Sequence, residues 1–243
     1  MDSEDNSPKY KRVLIKISGE ALMGPKEFGI HTPTVNSICN EIKAVKELGT
    51  ELAIVVGGGN IFRGLDASGR GMDRVTGDNM GMLATVINSL AVMDTLEQMG
   101  IFTRVMSAIK LEDFAEPYIR RRAVRHMEKG RLVVFAAGIG NPYFSTDTAA
   151  SLRAMEVGAE VLIKATNVDG VYSADPKKDS KAEFFSKMTY MDVLTKELKV
   201  IDSTAISLLK DNNIPLRIVA LNKEGNLKRV VMGENIGTLI TAT

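Results

Sequence analysis

A single cysteine, Cys39, is the whole thiol content of the chain, so no intrachain disulfide can form. That thrift fits a reducing compartment. Histidine is almost as scarce. His31 and His126 stand far apart, with no partner at metal-ligand spacing, which argues against a zinc or iron site. An excess of one charge is missing too. Lys and Arg total 31 against 30 for Asp and Glu, a formal net charge of +1, without the basic surplus of a dedicated nucleic-acid binder. No apolar run approaches the ~20 residues needed to cross a bilayer. The opening Met1-Asp2-Ser3-Glu4-Asp5-Asn6-Ser7-Pro8 is polar and acidic where a signal peptide would be basic and then apolar. These absences lead us to expect a soluble, cytoplasmic protein that partners neither nucleic acid nor membrane. Repeats, low-complexity tracts and a proline-rich linker are lacking as well.

What is present is ordinary globular material. The chain has 243 residues, 44% hydrophobic and 25% charged, enough for one sizeable domain or two small lobes on a shared sheet. After a tail over residues 1–9, expected to be disordered, strand and helix patterns alternate. Strands are predicted over 13–18, 52–56, 102–106, 132–137, 161–165, 216–219 and 238–241. Helices are predicted over 34–48, 78–99, 116–129, 146–157 and 204–211, several closed by a glycine such as Gly49 or Gly100. Such alternation predicts an α/β fold: a three-layer α/β/α sandwich around a largely parallel central sheet. Only the polar stretch Pro176-Lys177-Lys178-Asp179 suggests a junction between lobes.

In parallel α/β sheets ligands bind at the carboxyl ends of strands, and the unusual residues fall there four times. They are Lys16-Ile17-Ser18-Gly19, then Gly57-Gly58-Gly59-Asn60-Ile61-Phe62-Arg63-Gly64, then Gly138 to Asp147, then Thr166 to Pro176. Successive glycines let backbone N–H groups approach phosphate oxygens, although an isolated Gly-Gly-Gly is also a plain tight turn. Lys16 lies inside an otherwise apolar strand, where burial is costly unless an anion pairs with it; a strand-end lysine reaching solvent is the alternative. Lys164 repeats the pattern. Two strand-end lysines and Arg63 make a polyanion the natural guest. There is no G-x-x-x-x-G-K-[ST] for a P-loop, no complete G-x-G-x-x-G, and neither H-R-D nor D-F-G.

Taken together, Lys16-Ile17-Ser18-Gly19-Glu20-Ala21-Leu22, Gly57 to Gly64, Gly138 to Asp147, and Asp169-Gly170-Val171-Tyr172 with Ala174-Asp175-Pro176 resemble the bacterial uridylate (UMP) kinases of the amino-acid-kinase superfamily. The resemblance runs from about Tyr10 to Ile240. It implies one amino-acid-kinase-like domain over 10–243, with an acceptor-nucleotide half at about 10–160 and an ATP half at about 161–243. It implies an enzyme of pyrimidine nucleotide biosynthesis that moves the γ-phosphoryl group of ATP to UMP, with Mg2+ held mainly by the ATP phosphates. For ATP it points to Lys16, Ile17, Ser18, Gly19, Gly59, Arg63, Thr166, Tyr172 and Asp175. For UMP it points to Gly58, Asp78 and the run Ile139, Gly140, Asn141, Pro142, Tyr143, Phe144, Ser145 and Thr146. Lys16, Arg63, Lys164 and Asp147 take the catalytic roles. Asp147 and Asp202 match acidic positions that orient the lysines or help with magnesium. A homohexamer, GTP activation linked to the loop Gly24 to Gly29, and UTP inhibition are implied in the same way.

Other readings stand beside these. Asp78 and Asp147 each fall at a predicted helix start and suit N-caps. Tyr172 suits a half-buried strand, Cys39 and the thirteen methionines suit core positions. Arg120-Arg121-Arg122 with Arg125 suits a solvated helix face, or else an anionic effector or subunit contact. The rival functions are a superfamily kinase acting on a carboxylate or carbamate, and a non-catalytic relative that stores or senses anions.

Overall fold

The structure, a computed structural model, describes residues 7–63, 71–176, 178–179 and 181–243. Residues 1–6 of the expected tail, Gly64 of the glycine motif and Lys177 of the polar stretch lie outside these. Lys9 already belongs to the folded body, its N–H donating to the Val231 carbonyl at 3.0 Å.

Five apolar runs build the middle of one sheet: β1 (Arg12–Ile17), β2 (Glu51–Val56), β3 (Thr103–Ser107), β5 (Leu132–Ala136) and β6 (Val161–Thr166). Four more strands extend it: β4 (Glu116–Pro117), β9 (Lys187–Thr189), β10 (Leu216–Ala220) and β11 (Thr238–Thr241). Among the described residues the order is β4-β3-β5-β2-β1-β6-β10-β11-β9. All neighbours pair in parallel except β10 with β11, where the chain turns back. Two-residue strands β7 (Val171–Tyr172) and β8 (Phe184–Phe185) form a separate antiparallel hairpin.

Helices cover both faces. Cα–Cβ bonds alternate along a strand, so Val13, Ile15 and Ile17 enter one core and Leu14 the other. The first core lies under α2 (Thr32–Lys46), α3 (Arg74–Gln98) and α8 (Asn226–Val231). The second lies under α4 (Arg120–Glu128), α5 (Thr146–Val157), α6 (Tyr190–Thr195) and α7 (Ser203–Asp211). A short α1 (Gly19–Met23) follows β1 directly. The expected three-layer, largely parallel α/β sandwich is what the chain forms, with Cys39 fully buried in the first core.

Two helix starts lie more than two residues from expectation. Asp78 does not open the long helix: α3 begins at Arg74, and the Asp73 side chain accepts the Thr76 N–H as its cap. The helix predicted from Glu116 starts only at Arg120. Glu116 and Pro117 instead pair with β3, opposite Met106 and Ser107, an edge position where proline's missing N–H does little harm.

Candidate active site

Register decides the chemistry of this site before any loop is considered. β1 and β6 are neighbours, and Lys16 sits directly opposite Lys164. Both side chains therefore project to the same face, the face that α5 covers. Two ammonium groups so placed repel each other and lose water on burial. Asp147, in the first turn of α5, answers both. Its Oδ1 lies 2.7 Å from Lys16 Nζ and its Oδ2 2.5 Å from Lys164 Nζ. Lys164 Nζ also donates to the Val200 carbonyl at 2.6 Å. Lys16 is only 7% exposed, so its strand-end position does not carry it to solvent.

The cap reading of Asp147 is overturned by the same geometry. Ser145 caps α5, its Oγ accepting the N–H groups of Asp147 and Thr148, which frees the Asp147 carboxylate for the lysines. Burial by itself would lift the Asp147 pKa, but the two lysines outweigh it and hold the carboxyl below its usual range. For Lys164 burial dominates, and with the charge of Lys16 it leaves the ammonium below the usual lysine range despite the pull of Asp147. Asp202 caps α7 through the Ala205 N–H at 2.8 Å. Its carboxylate also accepts Thr148 Oγ1 at 2.9 Å and the Ser145 hydroxyl, so it braces the start of α5.

Two turns and helix α3 converge at this end of the sheet. A Cβ built on Gly19 would stand 2.7 Å from the Gly59 nitrogen and 2.8 Å from the Gly57 carbonyl oxygen, so the turns after β1 and β2 touch backbone to backbone. A Cβ on Gly58 would meet the Gly81 carbonyl oxygen of α3 at 2.8 Å. Only glycine allows these approaches. Ser18 caps α1, accepting the Ala21 N–H at 3.3 Å.

A cavity of about 540 Å³ opens beside the Gly57–Gly59 turn. Gly58, Gly59, Arg63, Asp78, Ile139, Asn141, Tyr143, Phe144, Ser145 and Thr146 line it. Gly140 and Pro142 belong to the same loop without lining the space. Asp78, one turn into α3, is no cap: its Oδ2 accepts the Tyr143 N–H at 2.7 Å and pairs with Arg74 Nε at 2.7 Å. It thereby pins the loop after β5 to the helix. Arg63 is half exposed and paired with Glu20, its Nε also facing the Gly59 carbonyl at 3.4 Å. A neighbouring cavity of about 740 Å³ shares Gly59, Phe62 and Arg63 and is bordered by Glu27 and Phe28.

The residues expected to hold adenosine are not part of this space. Thr166 ends β6, its hydroxyl engaged with Val168. Tyr172 packs edge-on against Phe184 at 5.3 Å between ring centroids. It lines a separate cavity of about 350 Å³ with Asp169, Lys223, Asn226 and Arg229. Asp175 is exposed in the connection from β7 to β8. Phe62, Arg74, Gly81, Met82, Thr85, Gly138, Thr148, Asp202 and Thr204 also line the 540 Å³ cavity, and most were not singled out from the sequence. Arg74 was within reach, since a charge pair four residues apart on a helix is a recognisable signal. Thr85 was not: its Oγ1 accepts the Ala137 N–H at 2.8 Å, a contact across 52 positions.

Among the described residues no three His, Cys, Asp or Glu side chains gather as a metal-binding group. Each oxygen of Asp147 is already committed to a lysine.

The amino acid kinase family model matches residues 11–220. The fold is similar to a UMP kinase from Bacillus anthracis, at TM-score 0.93 and 41% identity over 96% of each chain. A UMP kinase from Ureaplasma parvum superposes at TM-score 0.89 with 36% identity, over 95% of this chain and 98% of that one. A uridylate kinase from Archaeoglobus fulgidus gives TM-score 0.71 at 26% identity, over 94% and 99%.

Proposed function

With this chain placed in the amino acid kinase family, among its UMP kinases, we propose that it transfers the γ-phosphoryl group of ATP to UMP, giving UDP and ADP. The observation that carries the reading is the convergence of the Lys16–Asp147–Lys164 cluster, the two interlocked glycine turns and the 540 Å³ cavity at one end of the sheet. A UMP phosphate oxygen is already an anionic nucleophile, so no strong base is needed. The enzyme has to align two polyanions and offset their repulsion. Lys16, Lys164, Arg63 and the glycine N–H groups supply fixed positive potential where charge moves in the transition state. A magnesium ion held by the ATP phosphates would offset part of their charge.

In this reading UMP fills the cavity bordered by Asp78 and residues 139–146. ATP approaches from the side of Lys16–Gly19, with Thr166, Tyr172 and Asp175 toward its adenosine. The sheet supports that division: residues 10–160 supply β1 to β5, residues 161–243 supply β6 and β9 to β11, and the two halves meet where β1 pairs with β6. GTP activation through residues 24–29, UTP inhibition, a homohexamer and a working place in the cytoplasm belong to the same proposal. Only the GTP element has support in the geometry, from the 740 Å³ cavity that joins Glu27 and Phe28 to Gly59 and Arg63.

The test is ADP release from ATP and magnesium with UMP, CMP, acetylglutamate, aspartate and carbamate offered separately. Turnover with UMP is the expected result. Turnover with an amino-acid or carbamate acceptor instead would overturn the acceptor assignment, and silence with every acceptor would overturn the enzyme reading. Lys16→Ala and Arg63→Ala should each lower turnover roughly 10²-fold, and Asp78→Ala should chiefly raise the UMP concentration required.

A further inference from the structure

Two asparagines are buried behind the glycine turn, Asn60 at 2% and Asn88 at 0% exposure. Their amides pair reciprocally. Asn88 Nδ2 donates to Asn60 Oδ1 at 2.6 Å, and Asn60 Nδ2 donates to Asn88 Oδ1 at 3.1 Å. The remaining amide hydrogens are committed as well. Asn88 Nδ2 reaches the Gly57 carbonyl at 2.7 Å, and Asn60 Nδ2 reaches the Gly29 carbonyl at 2.8 Å. A buried polar pair with every donor satisfied is a rigid unit, and it costs dearly when one partner is removed.

The direction of these bonds matters. Every described peptide bond is trans, so the Gly57 C=O and the Gly58 N–H point opposite ways across one planar unit. Asn88 draws the carbonyl toward α3 and so turns the Gly58 N–H away from it. Among the described residues neither the Gly58 nor the Gly59 N–H has a hydrogen-bond acceptor, and both residues line the acceptor cavity. Glycine alone has no side chain to prefer one peptide orientation over its flip; the asparagine pair removes that freedom.

We propose that Asn88, locked by Asn60, is a positioning residue that aims the Gly58 N–H at the transferring phosphoryl group. The proposal rests on the assignment of the glycine turn to phosphate made above. Asn88 touches no substrate in this scheme and acts only through the Gly57–Gly58 peptide.

The experiment compares wild type, Asn88→Asp, Asn88→Ala, Lys16→Ala and a destabilising control in the same helix, Leu96→Ala. Readouts are kcat, the UMP KM and thermal melting between pH 6 and 8. Ionised Asp at 88 cannot donate to the Gly57 carbonyl, whereas its protonated form can. Burial between carbonyl oxygens favours protonation. At pH 8, where the ionised form is most abundant in this range, Asn88→Asp should lose at least ~10-fold in kcat with UMP KM within about threefold. Its kcat relative to wild type should climb as pH falls. Asn88→Ala should show the same loss with no pH recovery, and it serves alone if the Asp variant does not fold. Leu96→Ala should melt earlier yet keep its kcat well below its melting temperature. Either Asn88 variant retaining kcat within twofold, or Asn88→Asp losing it equally at every pH, would overturn the proposal. Full turnover in Lys16→Ala would instead bring down the site assignment itself, which separates the two failures.

Discussion

The residue that organises this site is an acid, Asp147, although the ligands it serves are anions. Two lysines in register on adjacent parallel strands could not both stay charged in a dry environment. A carboxylate between them lets them do so, and incoming phosphates can then compete for the same ammonium groups. Removing it would leave the two buried ammonium groups without their shared counter-ion, a loss of about 3–5 kcal/mol. The sign of the pH dependence follows. The folded-state pKa of Asp147 is depressed, so its contribution to stability is present above the ordinary value of 3.8 and is lost only as pH falls below that. Lys164 is depressed from 10.5, chiefly by burial, and gives up its proton earlier than a free lysine. The alkaline limb of kcat/KM, which reports the free enzyme, should therefore begin below that value. Lys164→Arg, which keeps its charge, should shift the limb upward. A limb that stays put in the arginine variant would show that another group sets it.

At the scale of elements, the site depends on how closely α3 and the β2 turn approach. Gly58 and Gly81 stand on opposite sides of that contact and should respond oppositely to the same methyl group. Gly58→Ala drives a Cβ to 2.8 Å from the Gly81 carbonyl oxygen and 2.9 Å from Ala84 Cβ. It should cost about 1–3 kcal/mol and most of the activity. A Cβ at Gly81 meets nothing within 4 Å, and alanine is a better helix former by about 1 kcal/mol. Gly81→Ala should thus raise the melting temperature while crowding the 540 Å³ cavity that Gly81 borders, seen as a higher UMP KM if UMP fills that space as proposed. Melting curves and UMP titrations on the two variants check both halves. A melting temperature that falls for Gly81→Ala would contradict the packing described. The late start predicted for this helix has a local cause. Its first turn, from Arg74 to Gly77, contributes little to the core, so apolar periodicity begins beyond it, and only the Asp73 cap marks the true start.

At the scale of the whole molecule, the outer side of α3 carries an exposed apolar stripe. Met80, Leu83 and Ile87 recur at three- and four-residue spacing and are 39%, 46% and 50% exposed. Spacing of that kind puts them on one face of the helix. In a homohexamer that stripe suits burial against another copy. Light scattering on the full chain should give the mass of a hexamer. A Leu83→Glu, Ile87→Glu double variant should dissociate in part, and a wild-type mass that is monomeric at micromolar concentration would end this reading.

Much of the architecture was written locally. Strand-helix alternation, the glycine closures and the burial of Cys39 needed only hydrophobic period and composition, which act over a few residues. The helix over residues 146–157 and the strand over 238–241 came out with the very bounds predicted. The strand-end loops that meet around the cavity were visible for the same reason, because glycine runs and strand-end lysines are local signals. Strands of two or three residues, such as those at Glu116, Val171 and Phe184, are too short to show any period. What only the tertiary structure decided was which partner each functional group receives. Lys16 and Lys164 lie 148 positions apart and meet through strand register. For Asp147 the sequence left both a helix cap and a partner for the lysines open, and the fold chose the shared counter-ion because Ser145 caps the helix instead. The Asn60–Asn88 pair, 28 positions apart, exists only where α3 crosses the β2 turn. Hydrogen bonds and ion pairs are short-ranged and directional, so their partners are chosen by packing, and packing is the one thing a linear pattern does not contain.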